Sequence, residues 1–167
     1  MTIFVKNKHT LQIDKFKFKC CVGKKGLTSN KKEGDKKTPK GTFKIGNLYF
    51  REDRKEKPIT LLKCIKIKKN MVWCDDPRSQ KYNQLVKLPF DFRYEKLYKK
   101  ENIYDIILVL NYNMSPIIKN KGSAIFIHVA KKNYKKTKGC VAIKKAHLLK
   151  IVKHLRKNST ILIVGQK

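Results

Sequence analysis

A mainly β fold, a sandwich of short strands with one helix packed on it near the C-terminus, is what this sequence predicts, on three observations. Short runs rich in Ile, Val, Phe and Tyr recur along the chain, separated by Lys, Gly, Asn, Asp and Pro, which is how strands joined by turns are written. Two runs, "YDIILVL" at 104–110 and "SAIFIHVA" at 123–130, are almost continuously apolar, as expected of strands covered on both faces. Only "KAHLLKIVKHLRKN" at 145–158 carries a helical period.

The first strand is predicted at 2–6, where "TIFVK" alternates, and the second over the long alternating run 10–21. "GTFKIGNLYF" gives a third at 41–50 and "ITLLKCIKI" a fourth at 59–67, each rich in β-branched and aromatic residues. The apolar runs then predict strands at 103–111, 124–130 and 139–143, and "TILIV" closes the chain with one at 160–164. In the helix, Leu148, Ile151, Val152 and Leu155 make one apolar stripe, with Asn158 as the stop. His147 and His154 lie on it among lysines and read as surface imidazoles. Three polar segments, 23–41, 51–58 and 75–102, read as loops, and the last is long enough to be a substrate-facing segment. A chain of 167 residues with 41% hydrophobic content supports one core, burying roughly 70% of its unfolded surface, and is expected to form a single domain over 1–167.

With 42 Lys and Arg against 12 Asp and Glu, the net charge is +30, a field that attracts nucleic acid, anionic lipid and carboxylate-bearing substrates alike. Lysine greatly outnumbers arginine, whereas base-edge readout favours Arg, so no specific nucleic-acid partner is implied. The alternative reading of the charge is a basic protein binding nucleic acid or another anionic polymer on a non-catalytic version of the fold. The cysteines, Cys20, Cys21, Cys64, Cys74 and Cys140, form no C-x-x-C pair, and their odd count argues against a disulfide scaffold. With His9, His128, His147 and His154 they supply no spaced pairs of ligands, so neither a metal nor a cofactor is expected. The N-terminus "MTIFVKNKHT" lacks the pattern of a secretory leader, and no run approaches the roughly 20 apolar residues of a membrane span. The expectation is a cytoplasmic monomer, with the periplasm or cell envelope, reached by another route, as the alternative.

The chemistry concentrates in "SAIFIHVAKKNYKKTKGCVAI", 123–143. Period two along the first strand puts Ile125, Ile127 and Val129 on one face and Ala124, Phe126, His128 and Ala130 on the other. In "GCVAI" it sends Cys140 and Ala142 one way and Val141 and Ile143 the other, so neighbouring strands would bring His128 and Cys140 to one face. A free thiol is only a few per cent thiolate at neutral pH, and a nucleophilic cysteine needs an imidazole base and cationic surroundings. Gly139 leaves room for a substrate carbonyl, with backbone N–H groups around 138–140 free to hold an oxyanion. The same residues also fit a buried cysteine and a core histidine, which periodicity does not distinguish.

The string His128, then eleven residues, then Cys140 in "TKGCVAI" resembles the signature of the YkuD-type (ErfK/YbiS/YcfS/YnhG) L,D-transpeptidases, and "KKEGDKKTPKGTFKIG", "WCDDP" followed by "YN", and "GSAIFIHVA" fit a compact branch of that family in the same order. The resemblance implies a mainly β sandwich, Cys140 as nucleophile, His128 as general base, and Gly139 with the Cys140 amide at the oxyanion. Thr137 matches the Ser/Thr position, and Tyr82, Asn83, Asn113 and Ser123 are candidate cleft residues. The implied partners are peptidoglycan stem peptides or muropeptides. The implied reaction attacks the carbonyl between the L-centre of meso-diaminopimelate and a terminal D-Ala, and the resulting thioester passes to an amine or to water. Familiar members carry Gly after the histidine and Arg two residues after the cysteine, where this chain has Val129 and Ala142. Lysines of the 131–138 loop are the expected electrostatic substitute for that Arg.

Overall fold

The structure is a computed structural model and describes residues 1–165; the last two residues of the domain expected over 1–167 lie outside the described residues. Among the described residues there are fourteen strands. In chain order they are β1 (Thr2–Val5), β2 (Thr10–Ile13), β3 (Phe16–Cys21), β4 (Leu27–Thr28), β5 (Thr38–Pro39), β6 (Gly41–Phe50) and β7 (Cys64–Lys66). Then come β8 (Met71–Cys74), β9 (Leu85–Lys87), β10 (Tyr94–Lys96), β11 (Ile106–Leu110), β12 (Phe126–Val129), β13 (Val141–Ile143) and β14 (Thr160–Ile163), with helix α1 at Lys145–Val152. The mainly β architecture with one helix is the predicted one.

Nine strands form one sheet in the order β11-β12-β13-β3-β2-β1-β14-β6-β7, and β11 also pairs with β6, so the sheet closes on itself like a barrel. The long strand β6 makes this closure possible, because Gly41–Lys44 pair with β14 while Ile45–Phe50 face β11. At the changeover stands Gly46, where a Cβ would lie 2.5 Å from Asn111 Oδ1 and 3.3 Å from the Val109 carbonyl, so a larger residue would have to displace the Asn111 side chain.

Inside the closed sheet lies the main core, where Ile3, Val5, Leu11, Ile127, Val141 and Ile143 meet Leu148, Ile151 and Val152 of the helix and Leu155 just beyond it. All four residues of the apolar stripe read from the sequence are buried, three of them on α1 and Leu155 in the turn that follows it. Asp105, only 2% exposed, ties the helix to the head of β11 through Lys145 at 2.7 Å and takes Arg54 at 3.2 Å. A second apolar cluster lies on the outer face of β11 and β12, where Ile107, Val109 and Phe126 meet Met71 and Trp73 of the small sheet β10-β8-β9. Both faces of β11 and β12 are thus covered, which accounts for their almost continuously apolar sequence, broken only by His128.

Several boundaries differ from expectation. The run 10–21 is a hairpin, because Asp14 adopts a positive φ of 48° and turns the chain between β2 and β3. Of 59–67 only Cys64–Lys66 is strand, and 103–111 begins with a 3-10 turn at Asn102–Tyr104 before Ile106. The 75–102 loop contains β9 and β10, which pair on either side of β8. The helix stops at Val152 and not at Asn158, since both groups that would continue it are taken. Thr60 Oγ1 donates to the Val152 carbonyl at 2.5 Å, and the Arg156 N–H donates to Ser159 Oγ at 2.9 Å.

Candidate active site on the outer face of the sheet

Strands β12 and β13 are parallel neighbours, and His128 lies directly opposite Ala142. Cys140 stands two residues before Ala142, just ahead of β13, and among the described residues no hydrogen bond joins its thiol to His128. His128 is 6% exposed and its Nδ1 lies 2.9 Å from the Val129 carbonyl. A carbonyl can only accept, so Nδ1 carries the hydrogen and Nε2 keeps the free lone pair. Val129 thus orients the imidazole through its backbone, and the side chain that departs from the familiar Gly is not needed for that task.

The thiol is held by backbone. Sγ of Cys140 donates to the Ala124 carbonyl at 3.2 Å and accepts from the Phe126 N–H at 3.4 Å. Burial pushes the thiol up to about 12; the Phe126 amide, Lys31 and Lys99 oppose that rise, and Glu95 adds to it. Burial likewise pushes His128 down to about 4, against the Val129 carbonyl and Glu95. At neutral pH the two groups are therefore a neutral thiol and a neutral imidazole. The lysines acting on Cys140 are Lys31 and Lys99; of the 131–138 loop, Lys131 acts on His128. The expected electrostatic substitute for the Arg thus comes mainly from outside that loop.

Gly139 has a φ of +151°, and a Cβ there would lie 3.1 Å from the Lys37 carbonyl, so the residue before the thiol must be glycine. Its N–H is not free for an oxyanion, as it donates to Thr137 Oγ1 at 3.1 Å. The Cys140 N–H has no hydrogen-bond partner among the described residues, which leaves it as the available donor. Two threonines fix this turn from opposite sides. Thr137 Oγ1 donates to the Cys140 carbonyl at 2.6 Å, and the fully buried Thr38 donates to the Gly139 carbonyl at 2.6 Å while accepting from the Gly23 N–H at 2.9 Å.

The profile of the L,D-transpeptidase catalytic domain (YkuD) matches residues 1–164. The chain belongs to the L,D-transpeptidase family. No curated protein matches it. Among solved structures, the helical cell shape determining protein Pgp2 from Campylobacter jejuni is similar, with a TM-score of 0.54 and 16% identity over 99% of this chain and 48% of that one. The chain spans about half the length of that structure, and at such identity the likeness is one of fold.

Around the cysteine of this L,D-transpeptidase domain stand residues that the motif did not point to. Tyr104 sets its ring against His128, with centroids 5.3 Å apart and planes at 78°, and its hydroxyl is pushed up by burial and by the negative charge of Cys140 and Glu95. Glu95 pairs with Lys99 at 2.6 Å, and Lys99 Nζ lies 5.0 Å from the centre of the Tyr104 ring. Both charged residues come from the 75–102 segment, expected to face substrate. A sequence signal existed: with 12 carboxylates among 167 residues, an acidic residue inside a lysine-rich stretch has a better than ordinary chance of a fixed partner. Beside Trp73, between β6, β8 and β11, a cavity of about 180 Å³ opens next to Tyr49, Val109 and Met114.

The candidate cleft residues are committed to internal hydrogen bonds. Tyr82 donates to Glu33 Oε2 at 2.5 Å and accepts from the Gly122 N–H at 3.0 Å, and Ser123 Oγ donates to the same carboxylate oxygen at 2.7 Å. Asn113 closes its own loop, donating to the carbonyls of Ile118 and Gly122 at 2.9 Å and accepting from the Ile118 N–H. Asn83 accepts from the Trp73 indole and the Ala124 N–H, both at 3.0 Å, and donates to the carbonyls of Tyr112 and Asn113. Ala124, whose carbonyl receives the thiol hydrogen, has a positive φ of 51° and is held there by Asn83.

The buried imidazole makes stability pH-dependent. His128 titrates near 4 in the fold against 6.5 unfolded, so below 6.5 the unfolded chain binds the proton first. The contribution is present above pH 6.5 and is lost as pH falls through about 4, amounting to about 3 kcal/mol over the window. Urea unfolding at pH 7 and pH 4.5 is expected to show a larger loss for wild type than for His128→Gln, which does not titrate. Equal losses would place the imidazole in water.

Proposed function

We propose that this domain is a cysteine-dependent acyl-transfer enzyme acting on peptidoglycan stem peptides, with Cys140 as nucleophile and His128 as general base. Sγ attacks the carbonyl between the L-centre of diaminopimelate and the terminal D-Ala, and its proton passes to Nε2 of His128. The carbonyl oxygen takes the negative charge, received by the Cys140 N–H. Collapse expels D-Ala, whose amine takes the proton back from Nε2, and leaves a thioester on Sγ. An amine then completes transpeptidation, or water completes L,D-carboxypeptidase hydrolysis, with His128 accepting the incoming proton and returning it to the thiol.

The observation that carries this reading is the position of His128 on β12 beside the parallel β13, which Cys140 leads into, with Nδ1 engaged by the Val129 carbonyl so that Nε2 would be the base. Family membership supports peptidoglycan as the substrate class. The name of the Campylobacter jejuni protein, a determinant of cell shape, fits a role in trimming or linking the wall. Lys31 and Lys99 favour negative charge at Cys140, each while paired to a carboxylate of its own, Asp35 and Glu95.

The deciding experiment is mass spectrometry of tetrapeptide muropeptides incubated with the protein. Wild type is expected to remove the terminal D-Ala, as tripeptide product or as a cross-link, and Cys140→Ala to remove none. Equal turnover by both would refute the cysteine mechanism. Cell fractionation then decides between soluble peptides, as for a cytoplasmic enzyme, and the polymer itself.

A further inference from the structure

A second cavity, of about 410 Å³, lies on the far side of the loop that joins His128 to Cys140. It is bounded by the turn before β2, the end of β3, the segment that follows it, and loop residues 133–136. Lys8, Lys19, Lys24, Lys25 and Lys136 surround it together with His9, and no Asp or Glu lines it. None of these lysines pairs with a carboxylate among the described residues, although eight ion pairs occur elsewhere among them. Five unneutralised ammonium groups around one concavity repel each other, and a multivalent anion inside it would relieve that repulsion.

The walls are fixed where the charges are carried. The Lys24 N–H donates to the Thr137 carbonyl at 2.9 Å, the Thr137 N–H to the Val22 carbonyl at 3.0 Å, and the Lys25 N–H to the Lys36 carbonyl at 3.1 Å. Lys19 Nζ lies 5.0 Å from the centre of the Tyr134 ring, which gives one ammonium a preferred position at the rim. On the floor, the Cys21 thiol donates to the Lys135 carbonyl at 3.5 Å. Ammonium groups on flexible stems act as point charges that suit phosphate oxygens, and the volume falls within the range of small-molecule sites.

We propose that this cavity is an anion site that takes a diphosphate group, either free or carried by a nucleotide. The site is separate from the face bearing Cys140, yet one of its walls is the loop whose Thr137 holds the Cys140 carbonyl. Its binding does not depend on the catalytic reading and is measured without turnover.

Isothermal titration of the full chain with inorganic pyrophosphate, in buffer of physiological ionic strength, is expected to give one saturable site. Because the whole chain is basic, the decisive comparison is between two triple variants of equal net charge. Lys24→Ala with Lys25→Ala and Lys136→Ala is expected to weaken binding at least tenfold, whereas Lys66→Ala with Lys68→Ala and Lys87→Ala, remote from the cavity, is expected to leave it within about twofold. Equal weakening by both sets, or no saturable binding by wild type, would overturn the proposal. Circular dichroism and thermal melts check that each variant is folded. A nucleoside diphosphate binding at least tenfold tighter than pyrophosphate would support the site and assign it to a nucleotide; equal affinity would support it as a site for the phosphates alone.

Discussion

Replacing His128 with Gln is expected to lower kcat/KM by about 10²- to 10⁴-fold, the usual range for loss of a positioned general base, and to change the shape of the pH profile. In the proposed mechanism the base is an imidazole pushed down to about 4, so wild-type activity should be flat from about pH 5 upward and fall only as Nε2 becomes protonated. Without that base the reaction depends on thiolate formed by ionisation alone. Cys140 is held near 12, and the thiolate fraction below that value rises tenfold per pH unit. The residual activity of His128→Gln should therefore climb about tenfold per unit between pH 7 and 10, where wild type is level. A residue that merely filled space would lower the rate without altering the slope. A variant profile parallel to wild type would remove His128 as the base.

Much of the arrangement behind that prediction is legible in the sequence, for a definite reason. Alternation along 124–130 and 139–143 assigns faces without knowledge of the partner strand, so His128 and Cys140 could be put on one face as soon as the two strands were assumed adjacent. The parallel pairing of β12 with β13 fulfils that assumption. The mainly β class was equally legible, because β-branched runs between turn residues recur along the whole chain. What the sequence concealed lies in contacts between distant segments. Thr38 reaches Gly139 across 101 residues and Tyr82 reaches Glu33 across 49. No local pattern distinguishes these side chains from solvated ones.

The backbone N–H groups around Cys140 show the same limit on a smaller scale. Gly139 is recognisable as a glycine with a task, but the commitment of its N–H to Thr137 depends on a side-chain rotamer two residues away. The helix end is another case, since Val152 gives up its carbonyl to Thr60, which lies 92 residues earlier. In both cases periodicity is right about which face is buried and silent about which backbone group has been claimed by a neighbour. Such claims are what convert a strand and a turn into a site with a single available donor.

Asn83→Ala is expected to be the most destabilising single polar truncation near the site. The residue is 2% exposed and uses its whole amide: two acceptor contacts, to the Trp73 indole and the Ala124 N–H, and two donor contacts, to the Tyr112 and Asn113 carbonyls. Truncation strands the buried Trp73 indole N–H and the part-buried Ala124 N–H and weakens the satisfaction of two carbonyls, and it also puts a Cβ-only residue at a φ of 56°, which Asn tolerates better than Ala. Leaving a buried group unpaired costs about 1–3 kcal/mol each, so a total loss of about 3–5 kcal/mol is expected. For a domain of this size that lowers Tm by roughly 10 °C or more, taking about 2–4 °C per kcal/mol. The effect should reach function as well, because Ala124 is held at its positive φ by Asn83 and its carbonyl receives the Cys140 hydrogen. At a temperature where Asn83→Ala remains folded, the rate of Cys140 alkylation by iodoacetamide is expected to differ from wild type, whereas Asn113→Ala, which frees only its own loop, should melt early without changing that rate. Equal alkylation in all three proteins would show that Asn83 supports the fold alone.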